Sequence, residues 1–279
     1  MSTYSKTLQK HLTQYKHDRL GVKEAGVYLH QGKEIRCGHI LPTELKWLSL
    51  LESHRSEIRA YLAAHREIKL HKYFHHLNSS QAFALNLFYP YFEGGEKASA
   101  ALQRAMGTSG KLKKWIPEWV PDAEEGTNVD VSWQNERGGW TYCEVKLSEQ
   151  EFGKATHDRR HLDKLSRIYA PILTQFCPSS MLEPEQFFKN YQILRNIWLA
   201  AREPKASVIF LLPAANTKLW ESLDDVVESM APSLRDRIYR VPIEQTLMDL
   251  TRDPQCPPHL SWYAKQLCEK YLIPDITVY

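Results

Sequence analysis

The chain has 279 residues, 43% hydrophobic and 25% charged, with a formal net charge of +3. That length holds one large or two small domains, and the composition excludes a disordered, collagen-like or strongly basic chain, so any nucleic-acid surface must be local. Cys37, Cys143, Cys177, Cys256 and Cys268 form no C-x-x-C pair, which argues for reduced thiols in a cytoplasmic protein and against a disulfide scaffold or zinc site. The polar start has no signal-peptide pattern, and no apolar run could span a bilayer, so no membrane partner is expected.

Residues 1–40 are polar and mixed, and predict a short hairpin of Gly26 to Tyr28 with Glu34 to Cys37. Pro42-Thr43-Glu44 opens a helical pattern in which Leu45, Leu48, Leu51, Ile58 and Leu62 recur through about residue 68. Residues 1–70 therefore read as an N-terminal extension packed on a main domain, 71–279. Asn78 or Ser79 caps a helix carrying Phe83, Leu87 and Phe88 until Pro90 bends or stops it. Glu96 to Met106 reads as a short helix and Gly107 to Gly110 as a loop.

Three strands follow. Trp115 to Val120 is interrupted by Pro117 and suits a sheet edge. Asn128 to Trp133 alternates, with Val129, Val131 and Trp133 on one face and Asp130 on the other. Trp140 to Leu147 also alternates, and Gln134 to Gly139 supplies the turn. Residues 158–170 and 185–202 read as helices, Ser207 to Leu212 as a buried strand, Leu219 to Met230 as a helix, Ile238 to Val241 as a strand, and His259 to Tyr271 as a last helix. The whole is a mixed α/β or α+β domain with an N-terminal helical extension.

The chemistry concentrates in the second and third strands. Glu144 and Lys146 share a face, opposite to Cys143, Val145 and Leu147. With Asp130 opposite Glu144, two carboxylates would sit roughly 5 Å apart and would need a shared proton or a cation between them. Mg²⁺, a hard cation that takes oxygen ligands, suits Asp130, Glu144 and the carbonyl of Val145, and Mn²⁺ can substitute. Lys146 would then position or deprotonate the attacking water and stabilise the transition state. A regular hairpin pairing Trp133 with Trp140 would set Asp130 opposite Cys143 instead, so the reading requires a bulge or irregular turn near Gly138-Gly139. The same residues, taken alone, also fit a solvated face with cross-strand ion pairs.

The order helix, three-stranded meander, helix, strand, with Asp130 on the second strand and E-V-K (Glu144 to Lys146) on the third, resembles the PD-(D/E)XK nuclease superfamily. H-I-L-P (His39 to Pro42), N-S-S-Q-A-F-A-L-N (Asn78 to Asn86), T-N-V-D-V, E-V-K-L-S-E-Q-E-F-G (Glu144 to Gly153) and Y-Q-I-L-R-N-I-W-L-A (Tyr191 to Ala200) are similar to a family of bacterial restriction endonucleases within it. The resemblance runs from about Gly26 onward and implies a restriction-endonuclease-like core and a Mg²⁺-dependent DNA nuclease. T-N-V-D lacks the proline that often precedes the active aspartate. Gln81 stands where related nucleases often place a helical glutamate, and would meet a phosphate or a metal-bound water.

Gln192 and Asn196 resemble the Q-x-x-x-Y helix motif of exonuclease-like members, with Asn in place of Tyr. Arg195 could meet a phosphate, and Glu149 or Glu125 a metal-bound water. Arg159 and Arg160, with His157, His161 and Lys164, form one basic cluster, and Lys113 and Lys114, with Lys111, another, and either could track a DNA backbone. His71, His75 and His76 read as structural or surface residues. Cutting both strands with one site per chain would favour a homodimer, and no methyltransferase partner can be read. Two other readings stay open: a catalytically silent nucleic-acid-binding protein on a nuclease fold, and a nuclease acting on RNA or repair intermediates.

Overall fold

The computed structural model describes residues 3–274. Helix α1 (Thr3–Leu20) buries Tyr4, Leu8 and Leu12, one residue per turn on an otherwise polar helix. So narrow a stripe gives no helix signal in the sequence; packing beside the C-terminal helix stabilises it. The expected hairpin follows as β1 (Gly26–His30) and β2 (Lys33–Cys37). The predicted helix after Pro42 divides into a 3₁₀ turn, Thr43–Ser49, and α2 (Glu52–Ala64). The side chain of Asn86 occupies the break: its Oδ1 accepts from Leu51 N at 2.8 Å and its Nδ2 donates to Ser49 O at 3.0 Å.

Ser79 caps α3 (Ser80–Glu93), its hydroxyl accepting from Ala82 N. The helix does not stop at Pro90. Proline removes the N–H that would bond to the carbonyl of Asn86, and the Tyr263 hydroxyl donates to that carbonyl instead, at 2.8 Å. α4 (Glu96–Ala105) completes this helical layer.

The strands β3 (Leu112–Trp119), β4 (Val129–Asn135) and β5 (Trp140–Val145) form the meander. A crossover returns the chain to β6 (Ser207–Leu212), which pairs parallel to β5. It comprises α5 (Arg159–Lys164), a π-helical turn (Leu165–Tyr169), α6 (Ala170–Leu173), α7 (Pro184–Lys189) and α8 (Tyr191–Ala201). The predicted 185–202 helix is thus broken at Asn190. The N–H of Gln192, in the first turn of α8, donates to Gly153 O. After β6 come α9 (Thr217–Glu228), α10 (Pro232–Arg235), β7 (Ile238–Pro242), α11 (Ile243–Arg252) and α12 (Pro258–Tyr271).

The order β3-β4-β5-β6-β7 gives one five-stranded mixed sheet with β3 at an edge, the α+β restriction-endonuclease-like arrangement expected. Both faces are covered. α1, α3, α4, α11 and α12 pack on Trp133, Cys143, Val145 and Ile209. α6 to α9 pack on Tyr142, Val208 and Phe210. The N-terminal residues Leu8, Leu12, Leu41 and Leu51 belong to the same apolar cluster as Trp133. Among the described residues, no helix is long and apolar enough to cross a membrane.

Candidate active site

The register of the meander builds the site. Gly138 N donates to Asn135 O at 2.9 Å and Asn135 N to Gly139 O at 3.2 Å, closing a three-residue loop with Gly138 at φ +88°. This is the irregular turn that the sequence requires, and only glycine adopts that φ without strain. It pairs Trp133 with Thr141 and Val131 with Cys143. Continued by one residue, that register sets Asp130 opposite Glu144. On the other side of β4, Pro117 pairs with Val131 and Trp119 with Val129, which brackets Glu118 opposite Asp130. Glu118, Asp130 and Glu144 therefore form one row across three adjacent strands.

Glu118 is the member of the row that sequence reasoning misses. It has φ +52°, the left-handed region that non-glycine residues rarely occupy. The turn of backbone there reverses the faces: Trp115 packs in the core on the α3 side, whereas Trp119 packs against the core on the α8 side. Its partner strand follows, so Val129 leaves the face shared by Val131 and Trp133 and joins the α8 side. The expectation that all three share a face is corrected accordingly. Glu118 accepts from Gln81 Nε2 at 2.9 Å and from Asn128 Nδ2. Burial, offset in part by these two bonds, raises its carboxyl above the ordinary range.

Asp130 is held by a hydrogen bond from Val145 N to its Oδ2 at 2.7 Å. Burial, then the neighbouring Glu144 charge, pushes its carboxyl well above the usual carboxylate range. Glu144 is not on a solvated face; it is 2% exposed beneath α8. Its Oε1 accepts from Gln192 Nε2 at 2.6 Å and pairs with Lys146 Nζ at 2.9 Å. Its Oε2 accepts from Asn196 Nδ2 at 2.7 Å and Arg195 at 3.3 Å. All four acceptor sites of the carboxylate are thereby filled. Burial alone would raise its pKa, but the Lys146 and Arg195 charges outweigh it and hold it below the ordinary value. Neighbouring carboxylates, Glu144 foremost, outweigh the burial of Lys146 and raise its pKa above the ordinary lysine value.

Asp130, Glu144, Lys146, Gln192, Gln81 and Glu149 all line one cleft of about 760 Å³, together with Glu118. Gln192 also accepts from Gly153 N at 2.7 Å, tying the loop after β5 to Glu144. Gln81 does not reach out to a ligand: Oε1 accepts from His71 N, and Nε2 donates to Lys69 O and Glu118. Glu149 caps the end of β5, accepting from Leu147 N and Ser148 N. Arg195, 6% exposed, lies behind Glu144 and does not line the cleft. Asn196 is fully buried and bonds Glu144 directly. Its spacing four residues from Gln192 is the signal for that role.

Lys113 and Lys114 line a separate cleft of about 580 Å³ beside Trp115 and Tyr61. Arg159 and Arg160 are exposed on α5 and line neither cleft. Glu125 is buried under Tyr169 and Tyr191, which both donate to it. His76 stacks on Tyr73 at 4.7 Å and meets His75 edge-on, and burial, then His75, lowers its pKa to about 3. Among the described residues no three His, Cys, Asp or Glu side chains gather into a metal cage. Asp130 and Glu144, beside the Val145 main chain, are the carboxylates that could hold a cation.

No curated protein and no solved structure matches the chain. A protein-family model described as Restriction Endonuclease associating with ARP matches residues 9–272. That match spans both helical layers, the whole five-stranded sheet and the cleft: the chain belongs to this restriction-endonuclease family.

Proposed function

We propose that the protein is a Mg²⁺-dependent deoxyribonuclease of the PD-(D/E)XK type, with Mn²⁺ able to replace Mg²⁺, serving restriction or a related defence role. The observation that carries this reading is the gathering of Glu118, Asp130 and Glu144, from three adjacent strands, in one cleft, with Lys146 paired to Glu144. Burial and mutual repulsion both disfavour ionised carboxylates in such a gathering, and a hard divalent cation relieves both.

The donors fit such a cation. Asp130 Oδ2 is fixed by Val145 N, which leaves Oδ1 as the oxygen to offer a metal. In a strand the N–H and C=O of one residue point to the same side, so the Val145 carbonyl turns toward Asp130. Glu144 Oε1, which carries the Gln192 and Lys146 contacts, would be the second carboxylate donor. Mg²⁺ bound there supplies Lewis-acid polarisation of a phosphate oxygen and of water.

The chain's own residues supply the remainder. Asp130 is oriented by the Val145 main chain. Gln192, Asn196 and Arg195 lock Glu144 in one orientation, which removes the reorganisation that charge development would otherwise require. The Lys146 ammonium stands beside Glu144 and offsets negative charge developing on the phosphate. Titration calorimetry with Mg²⁺, alongside cleavage of supercoiled and linear duplex, tests the reading. Wild type should bind the ion and cut, and Asp130→Asn should do neither. Cutting that persists in EDTA would contradict it, and DNA binding without cutting under either metal would point to a silent binding protein.

A further inference from the structure

The acids share their cleft with the loop between α2 and α3, where Lys69, His71, Lys72 and Tyr73 line the same space. Lys69 and Lys72 are exposed, and neither takes part in an ion pair among the described residues. An anionic cluster by itself repels a phosphate backbone, so exposed cations lining the same cleft have an electrostatic purpose there.

The loop is built rather than loose. Gln81 Oε1 accepts from His71 N at 2.7 Å, and Gln81 Nε2 donates to Lys69 O at 3.0 Å and to Glu118 at 2.9 Å. One side chain thus pins the basic loop and the first acid of the row to the same point. Phe74 N donates to His71 O at 2.9 Å, closing the turn. Lys72 Nζ lies 4.6 Å from the centre of the Tyr73 ring, and that ring stacks on the buried His76. Cation–π contact of this kind limits where the ammonium goes.

We infer that Lys69 and Lys72 grip the backbone phosphates of duplex DNA flanking the bond to be cut. The inference rests on the nuclease reading above and gives the loop between α2 and α3 a role in substrate binding. It also moves the DNA contact from Lys113 and Lys114, which line the other cleft.

The test is fluorescence anisotropy on a short duplex in EDTA, across a salt series, with the full chain. Removing one lysine–phosphate pair lowers the log–log salt slope by about 0.9. Lys69→Ala with Lys72→Ala should therefore flatten the slope by about 2 and weaken binding at least tenfold at low salt, and Lys69→Arg with Lys72→Arg should restore it. Lys113→Ala with Lys114→Ala should match wild type. If the Lys69/Lys72 alanine pair keeps wild-type affinity and slope while the protein binds and cuts, this inference falls and the nuclease reading stands. A wild type that neither binds nor cuts DNA overturns both.

Discussion

Arg195 separates two accounts of the helix behind the site. The sequence suggests a phosphate contact; the structure turns the guanidinium inward, 6% exposed, onto Glu144 Oε2 at 3.3 Å. Arg195→Met keeps the bulk of the stem and deletes the charge. Breaking a buried ion pair outright costs about 3–5 kcal/mol, but here Lys146, Gln192 and Asn196 remain on the carboxylate. Arg195 Nε is itself buried without a hydrogen-bond partner, so its removal also relieves an unpaired donor. The net cost should be about 2 kcal/mol, the range of a single charged hydrogen bond. For a domain of this size that is a fall of roughly 4–8 °C in Tm. Urea unfolding followed by tryptophan fluorescence gives the stability, and DNA anisotropy in EDTA gives the affinity. The account expects lowered stability with unchanged DNA affinity. Unchanged stability with weakened, less salt-dependent DNA binding would refute it and return Arg195 to the phosphate.

Three other outcomes follow from particular contacts. Lys270 is fully buried, in no ion pair among the described residues, with its ammonium on Ser49 O and over the Tyr271 ring; burial, then Arg55, lowers its pKa from 10.5 to about 7. The unfolded chain binds the extra proton between those values, so stability should rise with pH across that window, by about 2 kcal/mol from pH 7 to 9. Lys270→Met should lack that rise in chemical denaturation, and parallel profiles would refute it. Asn86→Ala leaves Leu51 N without its acceptor at the break before α2, and should cost about 2–3 kcal/mol by urea titration. Gly138→Val, at φ +88° in open space, should cost about 1–2 kcal/mol from backbone strain alone and lower cleavage by disturbing the register that aligns Asp130; equal stability would refute the turn assignment.

Much of the architecture is legible in the sequence because local rules and tertiary packing agree in it. The alternation in Trp140 to Val145, the cap at Ser79 and the apolar run Ser207–Leu212 each point to the element found. Asp130, Glu144 and Lys146 are legible as a set once the turn at Gly138 is recognised as irregular. What escapes depends on contacts distant in sequence. α1 carries too narrow an apolar stripe to be seen without α12, and the continuation of α3 through Pro90 depends on the Tyr263 hydroxyl. α11 shows helical spacing in Ile243, Leu247 and Leu250, but follows β7 without a loop to announce it. Glu118 escapes because Pro117 and its own positive φ break the alternation by which a strand's acid face is recognised. Gln81 looks like a ligand because its neighbours in the chain give no hint of His71 or Glu118 as partners.

The most direct measurement of the central claim is cleavage of supercoiled plasmid by wild type, Glu144→Ala and Lys146→Ala, each with Mg²⁺ and with EDTA. The account predicts cutting by the wild type in Mg²⁺ alone, and none by either variant. Undiminished cutting by Glu144→Ala, in a preparation free of contaminating nuclease, would contradict it.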